Sequence, residues 1–119
     1  MIFNICRSYR FEAAHHLPLF PLGHKCQGMH GHNYRVSVML CGELNAAGVV
    51  QDFGMLDAYM WTLIASLDHK ILNDIIENPT AENIVDYVWT WLKKTAVSSF
   101  LSGVRVYEND DSWAEIAAC

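Results

Sequence analysis

Five of the six histidines lie between positions 15 and 32, and their spacing is typical of metal ligands. In His30-Gly31-His32, a single glycine separates two imidazoles. On a β-strand this spacing puts both side chains on the same face, and the glycine allows a close approach. His15 ends an upstream strand pattern and can join them if the two strands pair antiparallel. Because three imidazoles suit Zn2+ and leave its fourth position open, the cluster predicts a zinc site.

Cys26 lies four residues before His30, in a loop that also carries His24 and Lys25. A thiolate forms more readily beside a metal or a basic group, where it can act as a base or nucleophile. Two other interpretations stay open: the histidines are ordinary surface or loop residues, or Cys26 closes a structural zinc site as its fourth ligand. The remaining cysteines are expected to be small buried hydrophobic residues: Cys6, Cys41 and Cys119.

Two further places in the sequence carry side chains that could transfer protons or bind a ligand ring. Asp68 and His69 are adjacent at the end of a predicted helix, and a carboxylate orients and stabilises a protonated imidazole. A helix cap or surface pair is the other interpretation. Glu108 continues the parity of the apolar residues of its strand, so it needs a partner there. That partner is either an arginine, Arg7 or Arg35, or a ligand with two parallel N–H donors.

Two pairs of strands are predicted, one towards each end of the chain. Residues 2–14 and about 30–40 alternate apolar and polar side chains, as half-buried strands do. Residues 104–108 and 113–118 flank a turn at 109–112 and predict a hairpin.

Two helices are predicted between these strand pairs. Apolar residues recur at helical spacing over 54–67. The second helix follows Pro79, with Thr80 as its N-cap and Glu82 in its first turn. Its buried stripe is expected to be Ala81, Ile84, Val85, Val88 and Leu92. The order β-β-α-α-β-β predicts one α+β domain, residues 1–119, in which a four-stranded antiparallel sheet carries both helices on one face.

Composition narrows the class of function. The chain has 119 residues, a formal net charge of −5 and only eight Lys and Arg residues, so nucleic acid is not an expected partner. No apolar run is long enough to cross a membrane, and the first residues do not form a signal-peptide pattern. A cytoplasmic protein with reduced thiols is therefore expected. Four tryptophans and the uncovered face of a small sheet favour burial in an oligomer.

Six segments of the sequence resemble one enzyme family. Their order and spacing are similar to those of 6-pyruvoyltetrahydropterin synthase and 6-carboxytetrahydropterin synthase homologues: FEAAHHL, GHKCQGMHGHNY, VVQDF, LDHKILND, NPTAEN and VRVYE. The resemblance runs from about Arg10 to Glu108. The three-residue gap between Cys26 and His30 is similar to that of the carboxy-synthase (queuosine pathway) branch, whereas animal pyruvoyl synthases have a longer gap.

The resemblance implies roles for most of the residues described above. The implied zinc ligands are His15, His30 and His32. The implied catalytic residues are Cys26 as the thiolate and Asp68 with His69 as the proton relay. The implied substrate-binding residues are Glu108 as the pterin anchor, with Thr80 and Glu82 lining the pocket. Because a triphosphate needs cationic partners, His24 and Lys25 are added as candidates for that contact.

The fold implied by the resemblance is the tunnelling fold, in which three subunits close their sheets into a barrel and two trimers stack. Active sites then lie between subunits of a homo-oligomer. The implied activity is that of a zinc-dependent carbon–carbon lyase. It converts 7,8-dihydroneopterin triphosphate to 6-carboxy-5,6,7,8-tetrahydropterin, acetaldehyde and triphosphate, in queuosine or other 7-deazapurine synthesis. The rival interpretations are a 6-pyruvoyltetrahydropterin synthase, which keeps the side chain, and a non-catalytic zinc- and pterin-binding module.

Overall fold

The computed structural model describes residues 1–117 and shows strands at both ends of the chain with two helices between them. The strands are β1 (Phe3–His15), β2 (His30–Gly42), β3 (Lys70–Ile71), β4 (Leu101–Asn109) and β5 (Ser112–Ala117). The helices are α1 (Phe53–Leu67) and α2 (Ala81–Leu92). Three short 3-10 turns connect them, at Lys25–Gln27, Leu72–Asp74 and Ala96–Ser99.

The sheet has five strands in the order β3-β1-β2-β4-β5, so the prediction of four antiparallel strands needs a correction. The additional strand, β3, has two residues and pairs parallel with β1 at Ala13 and Ala14. The other neighbours are antiparallel. Two residues are too few to show a periodic pattern, so sequence alone could not reveal β3. The predicted strand end at Ala118 lies outside the described residues.

Both helices cover one face of the sheet and form the core with it. Alternate residues of β2, namely Val36, Val38 and Leu40, have no exposed surface because they lie beneath the helices. The predicted stripe of α2 is buried at all five positions. The predicted N-cap is confirmed as well, since the Thr80 side chain accepts a hydrogen bond from the Asn83 amide at 3.1 Å. Within residues 1–117, neither helix is both long and apolar enough to cross a membrane.

Strand β1 leaves a long edge without a strand partner. It pairs with β2 along its whole length, but β3 covers only Ala13 and Ala14 on the other side. Among the described residues, no strand pairs with the edge from Phe3 to Phe11, and β5 has one free edge at the opposite side of the sheet. Unpaired edges of this kind are templates for pairing with another chain.

A buried carboxylate links β1 to α1. The Asp57 side chain accepts a hydrogen bond from the Tyr9 hydroxyl at 2.5 Å and forms an ion pair with the Arg7 guanidinium at 2.9 Å. Burial and this hydrogen bond raise the pKa of Tyr9, so its hydroxyl stays protonated and remains a donor. Arg7 is therefore not the partner of Glu108, and Arg35 instead lies over the Tyr107 ring. Both arginine partners proposed for Glu108 are wrong.

The Asp57→Ala variant is expected to lose about 1–3 kcal/mol of the free energy of unfolding, because the buried Tyr9 hydroxyl is left without its acceptor. Urea unfolding followed by circular dichroism measures this loss. The control is Asp86→Ala, which makes the same change at an exposed position of α2. A loss equal to that of the control would show that the Tyr9 contact contributes nothing.

Candidate active site

The β1–β2 pairing brings three histidines together at the end of the hairpin. His15, the last residue of β1, lies directly opposite His30, the first residue of β2. His32 lies opposite Ala13, which places it one step along the same face. The ligand atoms of the three histidines all lie within 4.8 Å of one another. Among residues 1–117, this group contains no cysteine, so the geometry does not favour Cys26 as a fourth ligand.

Backbone carbonyls fix the tautomers of two of these rings. Nδ1 of His15 lies 2.7 Å from the Pro79 carbonyl oxygen, and Nδ1 of His30 lies 2.7 Å from the Gly28 carbonyl oxygen. Because a carbonyl only accepts, both Nδ1 atoms carry hydrogen. The two neutral rings then point bare Nε2 atoms at each other across 2.9 Å. Two lone pairs at this distance need a shared cation, so the site fits a metal ion.

His32 provides a second sign of a missing partner. Its Nε2 atom is buried without a hydrogen bond. The Glu108 carboxylate lies 3.1 Å from this atom, within ion-pair distance but out of line for a hydrogen bond. A buried ring nitrogen that no protein group satisfies is accounted for by an ion bound among the three rings.

Burial favours the metal-binding form of two of the three histidines, His15 and His32. It lowers the pKa of His15, although the hydrogen bond to Pro79 opposes this effect. It also lowers the pKa of His32, against the attraction of the Glu108 carboxylate. Metal coordination requires neutral imidazole, and a lowered pKa favours the neutral ring. At neutral pH these two rings are therefore already deprotonated, and metal binding would release few protons from them.

In the metal-free protein, the free energy of unfolding is expected to decrease as the pH falls below about 6.5, the ordinary imidazole pKa. The unfolded chain binds protons at His15 and His32 that the folded chain takes up only at lower pH, so stability rises with pH across this interval. Urea unfolding between about pH 5 and about pH 7.5 measures the slope. His32→Gln should reduce it, and an unchanged slope would contradict the assignment.

Asp68 and His69 lie at the end of α1, beside β1. Nδ1 of His69 is 3.0 Å from one Asp68 carboxylate oxygen, and the other oxygen accepts from the Glu12 amide at 2.9 Å. The hydrogen bond from the Glu12 amide is the larger cause, and the contact with His69 the smaller, of a lowered pKa of Asp68, which keeps this carboxylate ionised. His69 has a positive φ of 58°, a conformation uncommon for residues other than glycine. Its amide donates to the Glu12 carbonyl at 2.6 Å.

One depression of about 490 Å3 extends from His69 to the His32 side of the histidine cluster. His69 and His32 both line it, together with Glu12 and Lys70. Its floor includes the small residues Ala13, Ala14 and Gly31. A small molecule in this depression can therefore contact His32 of the candidate metal site and His69 together.

The other predicted site residues lie elsewhere. Cys26 is partly buried in the 3-10 turn before β2, and the His24 ring accepts a hydrogen bond from its amide at 3.0 Å. Lys25 is exposed in the same turn. The Thr80 side chain caps α2, and Glu82 is exposed in the first turn of that helix. None of these residues lines the depression.

The structure also identifies residues that sequence reasoning missed. Glu12 contacts His69 twice, through its carbonyl and through a carboxylate oxygen 3.5 Å from Nε2, and its amide donates to Asp68. Pro79 fixes the ring of His15 through its carbonyl. In the sequence, the only indication of a functional role for Glu12 is its place in the family-like segment FEAAHHL. Cys6, predicted to be buried, is exposed on β1, and Cys119, predicted likewise, lies outside the described residues.

These features define an α+β protein with a three-histidine cluster that fits a metal ion and a carboxylate–imidazole pair beside it. The family described as 6-pyruvoyl tetrahydropterin synthase matches residues 4–119. The chain belongs to this family.

Individual relatives agree with this assignment. An Archaeoglobus fulgidus protein provisionally named 6-carboxy-5,6,7,8-tetrahydropterin synthase is 41% identical over 117 residues, covering 98% of this chain and 95% of the relative. The Synechocystis 6-carboxy-5,6,7,8-tetrahydropterin synthase is 35% identical over 118 residues, covering 92% and 89%. The structure of Caenorhabditis elegans 6-pyruvoyl tetrahydropterin synthase superposes with a TM-score of 0.90 at 27% identity, covering 100% of this chain and 97% of that one. The predicted tunnelling fold is thereby confirmed at the level of the single chain.

Proposed function

We propose that the chain is a zinc-dependent carbon–carbon lyase. In this proposal it converts 7,8-dihydroneopterin triphosphate and water to 6-carboxy-5,6,7,8-tetrahydropterin, acetaldehyde and triphosphate. The observation that carries the proposal is the set of three imidazoles whose ligand atoms lie within 4.8 Å, two of them with opposed bare Nε2 atoms. The names of the relatives at 41% and 35% identity support the carboxy-synthase branch. In this proposal the product would enter queuosine or other 7-deazapurine synthesis.

The proposed reaction balances without an external redox carrier. The side-chain carbon attached to the ring is oxidised from an alcohol to a carboxylate. The electrons go to the ring, which changes from dihydro to tetrahydro, and to the terminal carbon, which becomes a methyl group as triphosphate leaves. Water supplies the additional carboxylate oxygen. The chemistry therefore consists of proton transfers, one elimination and one carbon–carbon cleavage.

The protein's residues divide these tasks. His15, His30 and His32 would hold Zn2+, which as a Lewis acid lowers the pKa of side-chain hydroxyls. Cys26 would take a proton from the carbon skeleton, and His69, oriented by Asp68 at 3.0 Å, would exchange protons at Nε2.

Recognition of the substrate falls to a second group of residues. The Glu108 carboxylate would accept two N–H donors from the pterin ring. Thr80 and Glu82 would line the pocket, and His24 and Lys25 would contact the triphosphate. In one chain these last residues are not next to the depression, so their roles depend on assembly.

Assembly into a homo-oligomer, a trimer or a dimer of trimers, is part of the proposal. The free edge of β1 and the free edge of β5 lie at opposite sides of the sheet, as barrel closure between copies requires. The helices would then lie outside the barrel. A cytoplasmic location is included as well, because a catalytic thiolate must stay reduced.

The test is incubation of the zinc-loaded protein with 7,8-dihydroneopterin triphosphate, followed by mass analysis of the pterin and an assay for acetaldehyde. Formation of 6-carboxytetrahydropterin with acetaldehyde supports the proposal. A pyruvoyl product without acetaldehyde would identify the pyruvoyl-synthase reaction instead. Tight zinc without turnover would leave only a zinc- and pterin-binding module. Turnover limited to substrates with fewer phosphates would overturn the triphosphate assignment.

A further inference from the structure

The sheet face opposite the helices carries an ordered set of polar side chains, which we name the arginine face. One row across β1, β2, β4 and β5 contains Ser8, Ser37, Arg105 and Glu115. The next row contains Arg10, Arg35, Tyr107 and Trp113. The two serine hydroxyl oxygens lie 2.8 Å apart. Three guanidinium groups and two serine hydroxyl groups thus occupy neighbouring positions on three adjacent strands.

Aromatic rings hold two of these guanidinium groups in place. Arg35 lies over the Tyr107 ring at 3.8 Å, and Arg105 lies over the Trp113 ring at 3.8 Å. Arg105 also donates to the Tyr107 hydroxyl and to the Glu115 carboxylate, each at 2.9 Å. Stacking fixes the plane of a guanidinium while its edge stays available to donate hydrogen bonds. The arrangement is therefore pre-organised for an anion.

The positive charge of this face is only partly compensated. Arg10 and Arg35 lie directly opposite each other, where like charges are destabilising. Within residues 1–117, neither has a carboxylate at ion-pair distance, and Nε of Arg35 is buried without an acceptor. The whole chain has a net charge of −5, so this local excess of arginine is not a general property of the surface. An arrangement that costs stability in the folded chain points to a missing ligand.

We propose that the arginine face binds an oligophosphate anion. Guanidinium forks match phosphate oxygens bidentately, and serine hydroxyls can donate to them. Strands are spaced by about 4.8 Å, so the arginines on β1 and β4 are roughly 10 Å apart across the sheet. A chain of linked phosphates spans this distance better than a single one. The site is separate from the three histidines, which lie on the opposite face, and it does not rest on the proposed catalytic function.

Titration calorimetry of the zinc-loaded protein with inorganic triphosphate tests the proposal. Arg10→Gln and Arg35→Gln are each expected to weaken binding by about tenfold, since each removes one charged fork. Glu115→Gln should strengthen it several-fold by removing a carboxylate that competes for Arg105. The matched control is Lys94→Gln, an equal loss of charge at an exposed position after α2. It should leave the affinity within about twofold.

Several results would overturn the proposal. One is an equal loss of affinity in Lys94→Gln and the arginine variants, which would show an effect of net charge alone. Another is loss of binding in His30→Ala but not in the arginine variants, which would place the anion at the metal centre. Absence of triphosphate binding to the wild-type protein would also overturn the proposal. Circular dichroism and light scattering check that Arg35→Gln still folds and assembles, and the exposed Arg10 gives an independent variant. Adenosine triphosphate and orthophosphate in parallel titrations show whether a nucleotide tail or a single phosphate suffices.

Discussion

Replacement of Cys26 by alanine is expected to reduce turnover of dihydroneopterin triphosphate by about 10²–10⁴-fold, while zinc content and assembly stay unchanged. The physical reason is that a proton-transferring group contributes about this factor to the rate. Cys26 is partly buried, is not in the group of ligand atoms around the metal site and forms no disulfide. Alanine keeps the backbone N–H of position 26, which donates a hydrogen bond to the His24 ring, so the turn before β2 should persist.

Steady-state rates, zinc analysis and light scattering on the same preparation measure these effects. Cys6→Ala is the matched control, because Cys6 is an exposed thiol on β1 and should change none of the three quantities. Loss of zinc in Cys26→Ala would contradict the catalytic assignment and would identify Cys26 as a structural ligand. Retention of full activity would remove it from the mechanism altogether.

Replacement of His30 by alanine should abolish stable zinc binding and, with it, turnover. Two imidazoles remain, and the bare Nε2 of His15 loses the partner that lies 2.9 Å away. Zinc present at about 100 times its Kd stabilises a folded protein by about 2.7 kcal/mol. The variant should therefore lose the zinc-dependent increase in Tm, roughly 10 °C for a domain of this size. Differential scanning calorimetry with and without added zinc measures the increase.

His16→Ala is the control for the His30 variant. The backbone N–H and C=O of His16 form hydrogen bonds with the Asn73 side chain, and alanine keeps both of these backbone groups. The change therefore removes an imidazole beside the site without removing a proposed metal ligand. Its zinc content and Tm increase should match those of the wild-type protein. Should His30→Ala still retain zinc through dialysis against a chelator, the three-histidine assignment would be wrong.

The residues predicted most successfully from sequence are those positioned by short-range periodicity. The two-residue spacing of His30 and His32 fixes a shared face, and Thr80 was recognisable as a cap from its place before an apolar helix. What sequence could not predict are pairings between distant segments. The Tyr9–Asp57 bond joins residues 48 positions apart, and the bond between Glu12 and Asp68 spans 56. Such contacts depend on how α1 lies on the sheet, which no local pattern encodes.

The position of His15 and His30 at the two ends of one connection has a consequence for proteolysis. The chain leaves the sheet after His15 and re-enters it at His30. A cation shared by their rings would therefore fix both ends of the intervening segment, residues 16–29, as a cross-link does. That segment carries Cys26 and the highly exposed Leu19 and Leu22. Removal of the metal by a chelator should therefore loosen residues 16–29 first. A protease should then cleave this segment while the sheet and the helices stay intact.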